Sequence, residues 1–186
     1  MKFINQKVLP AITNMRDYEK FLQTSFPYCI IMDFHIAQLR PIASLAEKHN
    51  KNLIIHVDLI HGLNSDEYAA EYLCQELKLE GLISTRTSVI HIAKKKKKIA
   101  IQRIFLIDHQ SLDKSYRLLE KSQPDYIEVL PGLIPRMITE VREKTNIPII
   151  TGGLITTPKD IDRALQAGAK GVTTSYRELW KLNNEL

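Results

Sequence analysis

Eight short apolar runs alternate along the chain with segments of helical periodicity, and this alternation limits the possible folds more than any other feature. The runs are continuously apolar, which is typical of parallel strands covered on both faces. They predict strands at residues 8–12, 28–33, 53–58, 81–85, 99–105, 126–130, 148–151 and 171–174. Eight such units, each followed by a helix, predict an α/β fold, namely a compact (β/α)8 TIM-like barrel.

The chain is short for a (β/α)8 barrel. Such barrels usually have about 250 residues and seldom fewer than about 200, whereas this chain has 186. The helices must therefore be short, or one must be missing. The alternative is an open, doubly wound sheet. Because no low-complexity segment or Pro/Ser-rich linker divides the sequence, we predict a single domain over residues 1–186.

One helix start is ambiguous in the sequence. Pro41 lies inside a segment of helical periodicity that extends to His49. A proline within a helix removes a hydrogen bond and clashes with the preceding turn. We therefore predict that this helix begins near Pro41 and that residues 35–40 form a loop.

Composition places the basic charge of the protein in one segment. The formal net charge is +5, and five consecutive lysines account for all of it. A general basic shell for nucleic acid is therefore excluded, although one local patch remains. The lysines follow a predicted helix that begins near Thr87, so the simpler interpretation is a solvated helix end. They are Lys94, Lys95, Lys96, Lys97 and Lys98.

The sequence also predicts the cellular compartment of the protein. We find neither a signal-peptide pattern nor an apolar run long enough to span a membrane. Cys29 and Cys74 lie in apolar contexts, which is typical of buried thiols in a reducing compartment rather than of a disulfide or metal site. We expect a cytoplasmic protein without a membrane partner.

The ends of the last two predicted strands favour an anion. Gly152 and Gly153 allow a ligand to approach the backbone closely, and Thr174 and Ser175 offer hydroxyl groups. The segment from Ser175 to Glu178 is typical of a capping box, which would direct a helix N-terminus at the same place. In eight-stranded barrels the loops after strands 7 and 8 commonly bind phosphate. A tight turn and a simple helix cap are the alternative explanations.

The remaining strand ends are polar, and three explanations compete for them. An acid such as Asp33, Asp58 or Glu128 could serve as the general base of an enzyme. Metal ligation by His35, His56, Asp58 and Glu128 is a second explanation, and a pocket that binds a small phosphorylated polyol without changing it is a third. No lysine follows a strand to form a Schiff base, and no His-Glu-x-x-His spacing occurs. We expect neither a catalytic residue nor a metal ligand.

Nine segments match a known family over nearly the whole chain. They are residues 6–11 (QKVLPA), 32–39 (MDFHIAQL), 56–63 (HVDLIHGL), 66–71 (DEYAAE), 81–86 (GLISTR), 100–105 (AIQRIF), 124–132 (PDYIEVLPG), 151–155 (TGGLI) and 172–175 (VTTS). The chain resembles the bacterial glycerol uptake operon antiterminators, the glycerol-3-phosphate-responsive antiterminator family. The resemblance implies a barrel-like regulator, not an enzyme. It implies that glycerol 3-phosphate is the effector and that a leader mRNA is the partner.

Glycerol 3-phosphate is a small phosphorylated polyol, so the resemblance selects the third explanation. Gly152, Gly153, Thr174 and Ser175 would then hold the phosphate, with added charge from Arg86. The glycerol hydroxyls would meet Asp33, His56, Asp58 or Glu128. Two surfaces are candidates for RNA: the five lysines, and a group of arginines in or near the loops of the ligand face, Arg40, Arg103 and Arg136, to which Arg86 also belongs. A homo-oligomer is possible, and an isomerase or epimerase of phosphosugars is the alternative function.

Overall fold

The protein forms a closed barrel of eight parallel strands. A computed structural model describes residues 6–77 and 79–184. The strand order follows the chain, and β8 pairs with β1 to close the barrel. The strands are β1 (Val8–Ile12), β2 (Tyr28–Ile31), β3 (Asn52–His56), β4 (Gly81–Ser84), β5 (Ile99–Phe105), β6 (Tyr126–Leu130), β7 (Ile149–Gly152) and β8 (Gly171–Thr174). The predicted (β/α)8 barrel is confirmed, and the open sheet is excluded.

Helices surround the barrel and occupy the connections between its strands. The α-helices are α1 (Met15–Leu22), α2 (Ile36–Lys48), α3 (Glu67–Gln75), α4 (Thr87–Lys95), α5 (His109–Ser122), α6 (Pro135–Thr145) and α7 (Pro158–Gln166). Two 3-10 helices, Val57–Leu59 and Arg177–Asn184, follow β3 and β8. Within the described ranges no helix is both long and apolar enough to cross a membrane.

Two apolar layers hold the barrel together. The larger layer lies between the strands and the surrounding helices, and it includes Val172 of β8 and Ile161 of α7. The smaller layer fills the barrel interior with side chains from successive strands, among them Leu9, Ile30, Ile54, Ile83, Ile101 and Ile150. Because both faces of the sheet are buried, the strands read as continuous apolar runs in the sequence.

The predicted start of α2 is wrong. The helix begins at Ile36, five residues before Pro41, because His35 and Gln38 form a reciprocal cap. His35 Nδ1 accepts the Ala37 N–H at 3.1 Å, and Gln38 Oε1 accepts the His35 N–H at 3.0 Å. These bonds satisfy donors that a helix N-terminus otherwise leaves without partners. The helix therefore accommodates Pro41 in its second turn.

The predicted capping box at Ser175 is also wrong. The segment after β8 is a 3-10 helix, and the residue that stabilises its start is Thr174, whose Oγ1 accepts the Tyr176 N–H at 3.0 Å. Trp180 Nε1 then donates to the Thr174 carbonyl at 3.0 Å. A short 3-10 helix thus follows β8 where the other units carry an α-helix, which is one reason why the barrel fits in so few residues.

Candidate functional site

A buried ion pair lies inside the C-terminal mouth of the barrel. Glu128 of β6 is fully buried, and Arg103 of β5 stands opposite it in the strand register. Arg103 Nε donates to Glu128 Oε2 at 2.6 Å, and only 10% of the arginine side chain is exposed. Ile101 of β5 points into the barrel, and side chains two residues apart on a strand lie on the same face. Arg103 therefore points inward, and so does Glu128, its register partner on β6. The mouth therefore holds a paired positive and negative charge largely shielded from water.

Thr173 of β8, two strands away from Glu128, gives the carboxylate a second hydrogen-bond partner. Its Oγ1 donates to Glu128 Oε1 at 2.9 Å, so both carboxylate oxygens accept a hydrogen bond. Gly152 of β7 lies beside Thr173 in the register. A Cβ atom at Gly152 would overlap Thr173 Oγ1. Glycine at this position therefore leaves the space that the Thr173 hydroxyl occupies.

His56 is a buried polar side chain that lacks a partner. It ends β3 in the phase of Ile54, which faces the interior, and it is 1% exposed. Neither ring nitrogen has a hydrogen-bond partner among the described residues. Burial and the positive charge of Arg103 lower the pKa of His56 to about 3, against the opposing effect of Asp58. The mouth therefore contains a buried, neutral imidazole whose ring nitrogens have no hydrogen-bond partner among the described residues.

Asp58 stabilises the turn after β4. Its carboxylate accepts hydrogen bonds from Ser84 Oγ at 2.5 Å, from the Thr85 N–H at 2.7 Å and from Thr85 Oγ1 at 2.9 Å. Burial by itself would raise the pKa of Asp58, but these hydrogen bonds prevail and lower it. Three donors within the chain therefore already bond this carboxylate, and a role of Asp58 toward the polyol stays a prediction.

Asp33 lies apart from the ion pair, at the outer margin of the mouth. It is exposed after β2 and adopts a left-handed backbone with φ of 61°. Its N–H donates to the Leu59 carbonyl at 2.9 Å, which joins the loops after β2 and β3. A role for its side chain toward a polyol stays a prediction.

The structure brings the two predicted phosphate loops together. β7 and β8 are neighbours, so Gly153 and the exposed Ser175 follow adjacent strand ends. Gly153 has φ of 73°, a conformation that glycine adopts without strain. Thr174 Oγ1 donates to the Ile155 carbonyl at 3.0 Å and also accepts the Tyr176 N–H, so this hydroxyl group already has two partners within the chain. Its role in phosphate binding stays a prediction.

Two of the predicted arginines take different places from those expected. Arg86 is exposed at the start of α4, and its strand, β4, lies across the barrel from β8. It therefore lies on the opposite side of the mouth from the loop after β8 and does not flank that loop. Arg103 was expected to contact RNA, but its side chain is largely buried against Glu128 in the mouth. Arg40 in α2 and Arg136 in the first turn of α6 are exposed, as an RNA contact would require.

The lysine run lies at the opposite end of the barrel from the mouth. It covers the last turn of α4 and the connection into the N-terminal end of β5. Lys94 forms an ion pair with Asp125 at 2.6 Å, and Lys96 forms one with Glu71 at 3.3 Å. Part of the run therefore stabilises the local structure, and Lys95 and Lys97 are exposed.

The side chains considered as possible metal ligands, His35, His56, Asp58 and Glu128, do not form a metal site among the described residues. In the part of the chain that the structure describes, no three His, Cys, Asp or Glu side chains are placed to hold one ion. His35 is engaged in capping α2, and Glu128 is engaged by Arg103 and Thr173. The groups that do converge in the mouth are an ion pair, a hydroxyl and a neutral imidazole.

Comparison with known proteins identifies the family. The model of the family described as Glycerol-3-phosphate responsive antiterminator matches residues 8–180. The chain belongs to this family. A solved structure titled as a glycerol uptake operon antiterminator regulatory protein, from Listeria monocytogenes str. 4b F2365, is 41% identical to it. That alignment covers 97% of this chain and 98% of the other, with a TM-score of 0.94.

Two further relatives are more distant. The structure of a glycerol uptake operon antiterminator-related protein from Thermotoga maritima MSB8 is 22% identical, covers 96% of this chain and 99% of its own, and has a TM-score of 0.83. The Escherichia coli (strain K12) protein named Uncharacterized protein YgcP is 27% identical over 179 residues, which are 96% of this chain and 94% of that protein. The antiterminator family and its barrel thus extend over nearly the full chain.

Sequence reasoning missed Thr173 and chose Thr174 instead. The signal that would have separated them was the strand phase. Val172 packs between sheet and helices, so the alternation of side chains turns Thr174 outward and Thr173 toward the interior. Leu9, which is opposite Thr173 in the register, confirms that direction.

We expect His56 to make stability depend on pH. Its folded pKa is about 3, whereas an unfolded histidine has a pKa of about 6.5. As the pH falls below 6.5, the unfolded chain binds a proton that the folded chain does not, so the free energy of unfolding decreases. Between about pH 7.5 and about pH 5, wild type should lose about 2 kcal/mol more than His56→Gln. Urea titrations at both pH values measure this, and equal losses in the two proteins would contradict it.

We expect Gly152→Ala to destabilise the protein through Thr173. The added methyl group would displace the Thr173 hydroxyl and break its bond to Glu128, at a cost of about 1–3 kcal/mol, as in other overpacked cores. In a Thr173→Ala background the same substitution should cost less, although the Thr173 Cβ and carbonyl remain close. A double-mutant cycle by urea denaturation measures the coupling, and strictly additive effects would exclude it.

Proposed function

We propose that this protein senses glycerol 3-phosphate and, in the liganded state, binds leader mRNA to prevent transcription termination of glycerol-metabolism genes. The observation that carries the proposal is the polar layer in the barrel mouth, formed by Arg103, Glu128, Thr173 and the unpartnered His56. This layer borders the glycine-rich loop after β7. Membership of the antiterminator family supports the regulatory role and a function other than catalysis.

Each part of the ligand has a group of matching chemistry in the mouth. The phosphate suits the backbone around Gly152 and Gly153 together with the exposed Ser175, because adjacent loops after β7 and β8 present N–H and hydroxyl donors. Arg103 contacts Glu128 on β6, the strand beside β7, and would supply positive charge near this strand pair. Arg86 would approach the ligand from the opposite rim of the mouth.

The glycerol part suits the centre of the mouth. A carboxylate only accepts hydrogen bonds, so Glu128 favours hydroxyl donors over a carbonyl group. His56 has one donor and one acceptor nitrogen in its neutral form and is free to bond a second hydroxyl. This arrangement distinguishes an alcohol from a ketone at the same carbon, which is the difference between glycerol 3-phosphate and dihydroxyacetone phosphate.

We expect calorimetry to show binding of glycerol 3-phosphate in preference to glycerol, inorganic phosphate and dihydroxyacetone phosphate. Thr173→Val keeps the shape of the side chain but removes the donor that orients Glu128, so it should weaken binding about tenfold. Glu128→Gln should reduce the preference for the alcohol, because the amide donates to a carbonyl. Glu143→Gln on the exposed face of α6 is the control.

The proposed site would be refuted if none of the four compounds gave a heat of binding, or if wild type bound all four with equal affinity. Turnover of a phosphosugar would favour the alternative function as an enzyme.

RNA binding should be coupled to the effector. We expect glycerol 3-phosphate to increase affinity for the leader RNA, and the RNA to increase affinity for the effector by the same factor. Fluorescence titrations with and without saturating effector measure this coupling. Equal RNA affinity under both conditions would reject the coupling.

The salt dependence of RNA binding measures whether the lysine run contacts the RNA. Lys95 and Lys97 are exposed and lie outside the two ion pairs of the run. If they contact phosphates, Lys95→Gln/Lys97→Gln should reduce the slope of log K against log salt by roughly one to two. Lys114→Gln/Lys121→Gln on the exposed face of α5 is the matched control. An unchanged slope would assign the run to solvent.

A further inference from the structure

An apolar rim follows four consecutive strands at the barrel mouth. Its side chains lie at or after the ends of β5, β6, β7 and β8, and each is between 38% and 76% exposed. The members of the rim are Phe105, Ile107, Leu133, Ile134, Leu154 and Tyr176. Large exposed apolar side chains are usually scattered singly, so six of them on neighbouring loops indicate an interaction surface.

Hydrogen bonds tie the four loops into one surface. The Leu106 N–H donates to the Leu130 carbonyl at 2.8 Å, which joins the ends of β5 and β6. The Gly132 N–H donates to the Gly152 carbonyl at 2.6 Å, which joins the loops after β6 and β7. Thr174 Oγ1 joins the loop after β7 to the end of β8. The rim is therefore held in place by the same strand ends that form the ligand site.

Leu154 provides an independent sign that the rim has a partner. It is 70% exposed and has φ of 62°, in the left-handed region. This conformation costs a leucine on the order of 1–2 kcal/mol, and glycine or asparagine would adopt it more easily. A strained backbone that presents an apolar side chain to solvent is unfavourable in an isolated molecule, and contact with a second surface would offset that cost.

The charges near the rim favour a protein partner over RNA. Interfaces with nucleic acid are strongly positive, but the charged residues that follow the rim segments have both signs. Asp108 and Glu178 are acidic, and Arg136 and Lys159 are basic. The concentrated positive charge of the chain lies at the other end of the barrel. Four of the six rim side chains are aliphatic, whereas unpaired bases stack on aromatic ones.

We propose that the apolar rim is the interface of a homodimer in which two barrels meet mouth to mouth. A two-fold interface pairs one patch with itself, and a patch with an apolar centre and charges of both signs suits such pairing. The six side chains together present several hundred Å² of surface, a large part of the roughly 800 Å² per partner that a standard interface buries. The interface then borders both ligand sites. This proposal goes beyond effector and RNA binding and does not depend on either.

Sedimentation velocity over a range of protein concentrations tests the dimer. Leu154→Asn removes the apolar contact and places a residue that tolerates the left-handed backbone, so the monomer should stay folded. Because the residue enters a two-fold interface twice, we expect the dimer dissociation constant to rise at least about tenfold. Leu118→Asn on α5, which is also exposed but lies outside the rim, is the matched control and should leave the constant unchanged.

The results of these measurements distinguish a second protomer from RNA as the partner of the rim. A dimer that Leu154→Asn weakens and Leu118→Asn does not would support the proposal. A wild-type protein that stays monomeric up to about 100 µM, with and without glycerol 3-phosphate, would overturn it. It would equally be overturned if both variants kept the wild-type sedimentation while Leu154→Asn abolished RNA binding, since the rim would then contact RNA. Circular dichroism of both variants verifies that they are folded.

Discussion

The pairing of β8 with β1 is the interaction on which the rest of this structure depends. It joins Leu9 to Thr173 in register and turns the sheet into a closed barrel. An eight-stranded barrel has an interior just wide enough for side chains to fill. Closure therefore brings the inward-facing side chains of β3, β5, β6 and β8 within reach of one another. It is also what withdraws Glu128 from water, since in an open sheet that face would border a cleft.

The polar layer that closure creates is costly for the fold. A buried ion pair such as Arg103–Glu128 is often no more stabilising than apolar side chains of the same volume, because both ions lose their hydration. The unpartnered His56 adds a further desolvation cost. An apolar layer at the same height would continue the packing of Ile54, Ile83 and Ile101 below it. A binding site for a polar ligand requires polar groups that are held in fixed positions even though they destabilise the fold. The polar layer has this property, which agrees with the proposal that it binds an effector.

The polar layer of the mouth and the apolar rim share their supporting elements. Gly152 makes room for Thr173, and its carbonyl accepts the N–H that positions the loop after β6. Gly153 and Leu154 follow directly, both with positive φ. A ligand that changes the loop after β7 would thus move Leu154 of the rim as well. This arrangement offers a short physical route from effector to partner, whether the partner is a second protomer or RNA.

The sequence by itself determined the number, order and positions of the strands, with ends correct to within two residues, because strands buried on both faces must be continuously apolar. It also determined that Gly152, Gly153, His56 and Glu128 would meet at one end of a barrel, since parallel strands place their C-terminal ends together.

The sequence did not determine which side chains point inward. A continuous apolar run lacks the alternation that separates the two faces, so Thr173 was passed over for Thr174 and the burial of Arg103 against Glu128 was not foreseen. Only the tertiary structure decided these directions, because strand register and barrel closure fix the phase of every strand at once. The same holds for α2, where the local cap formed by His35 and Gln38 outweighed the unfavourable position of Pro41.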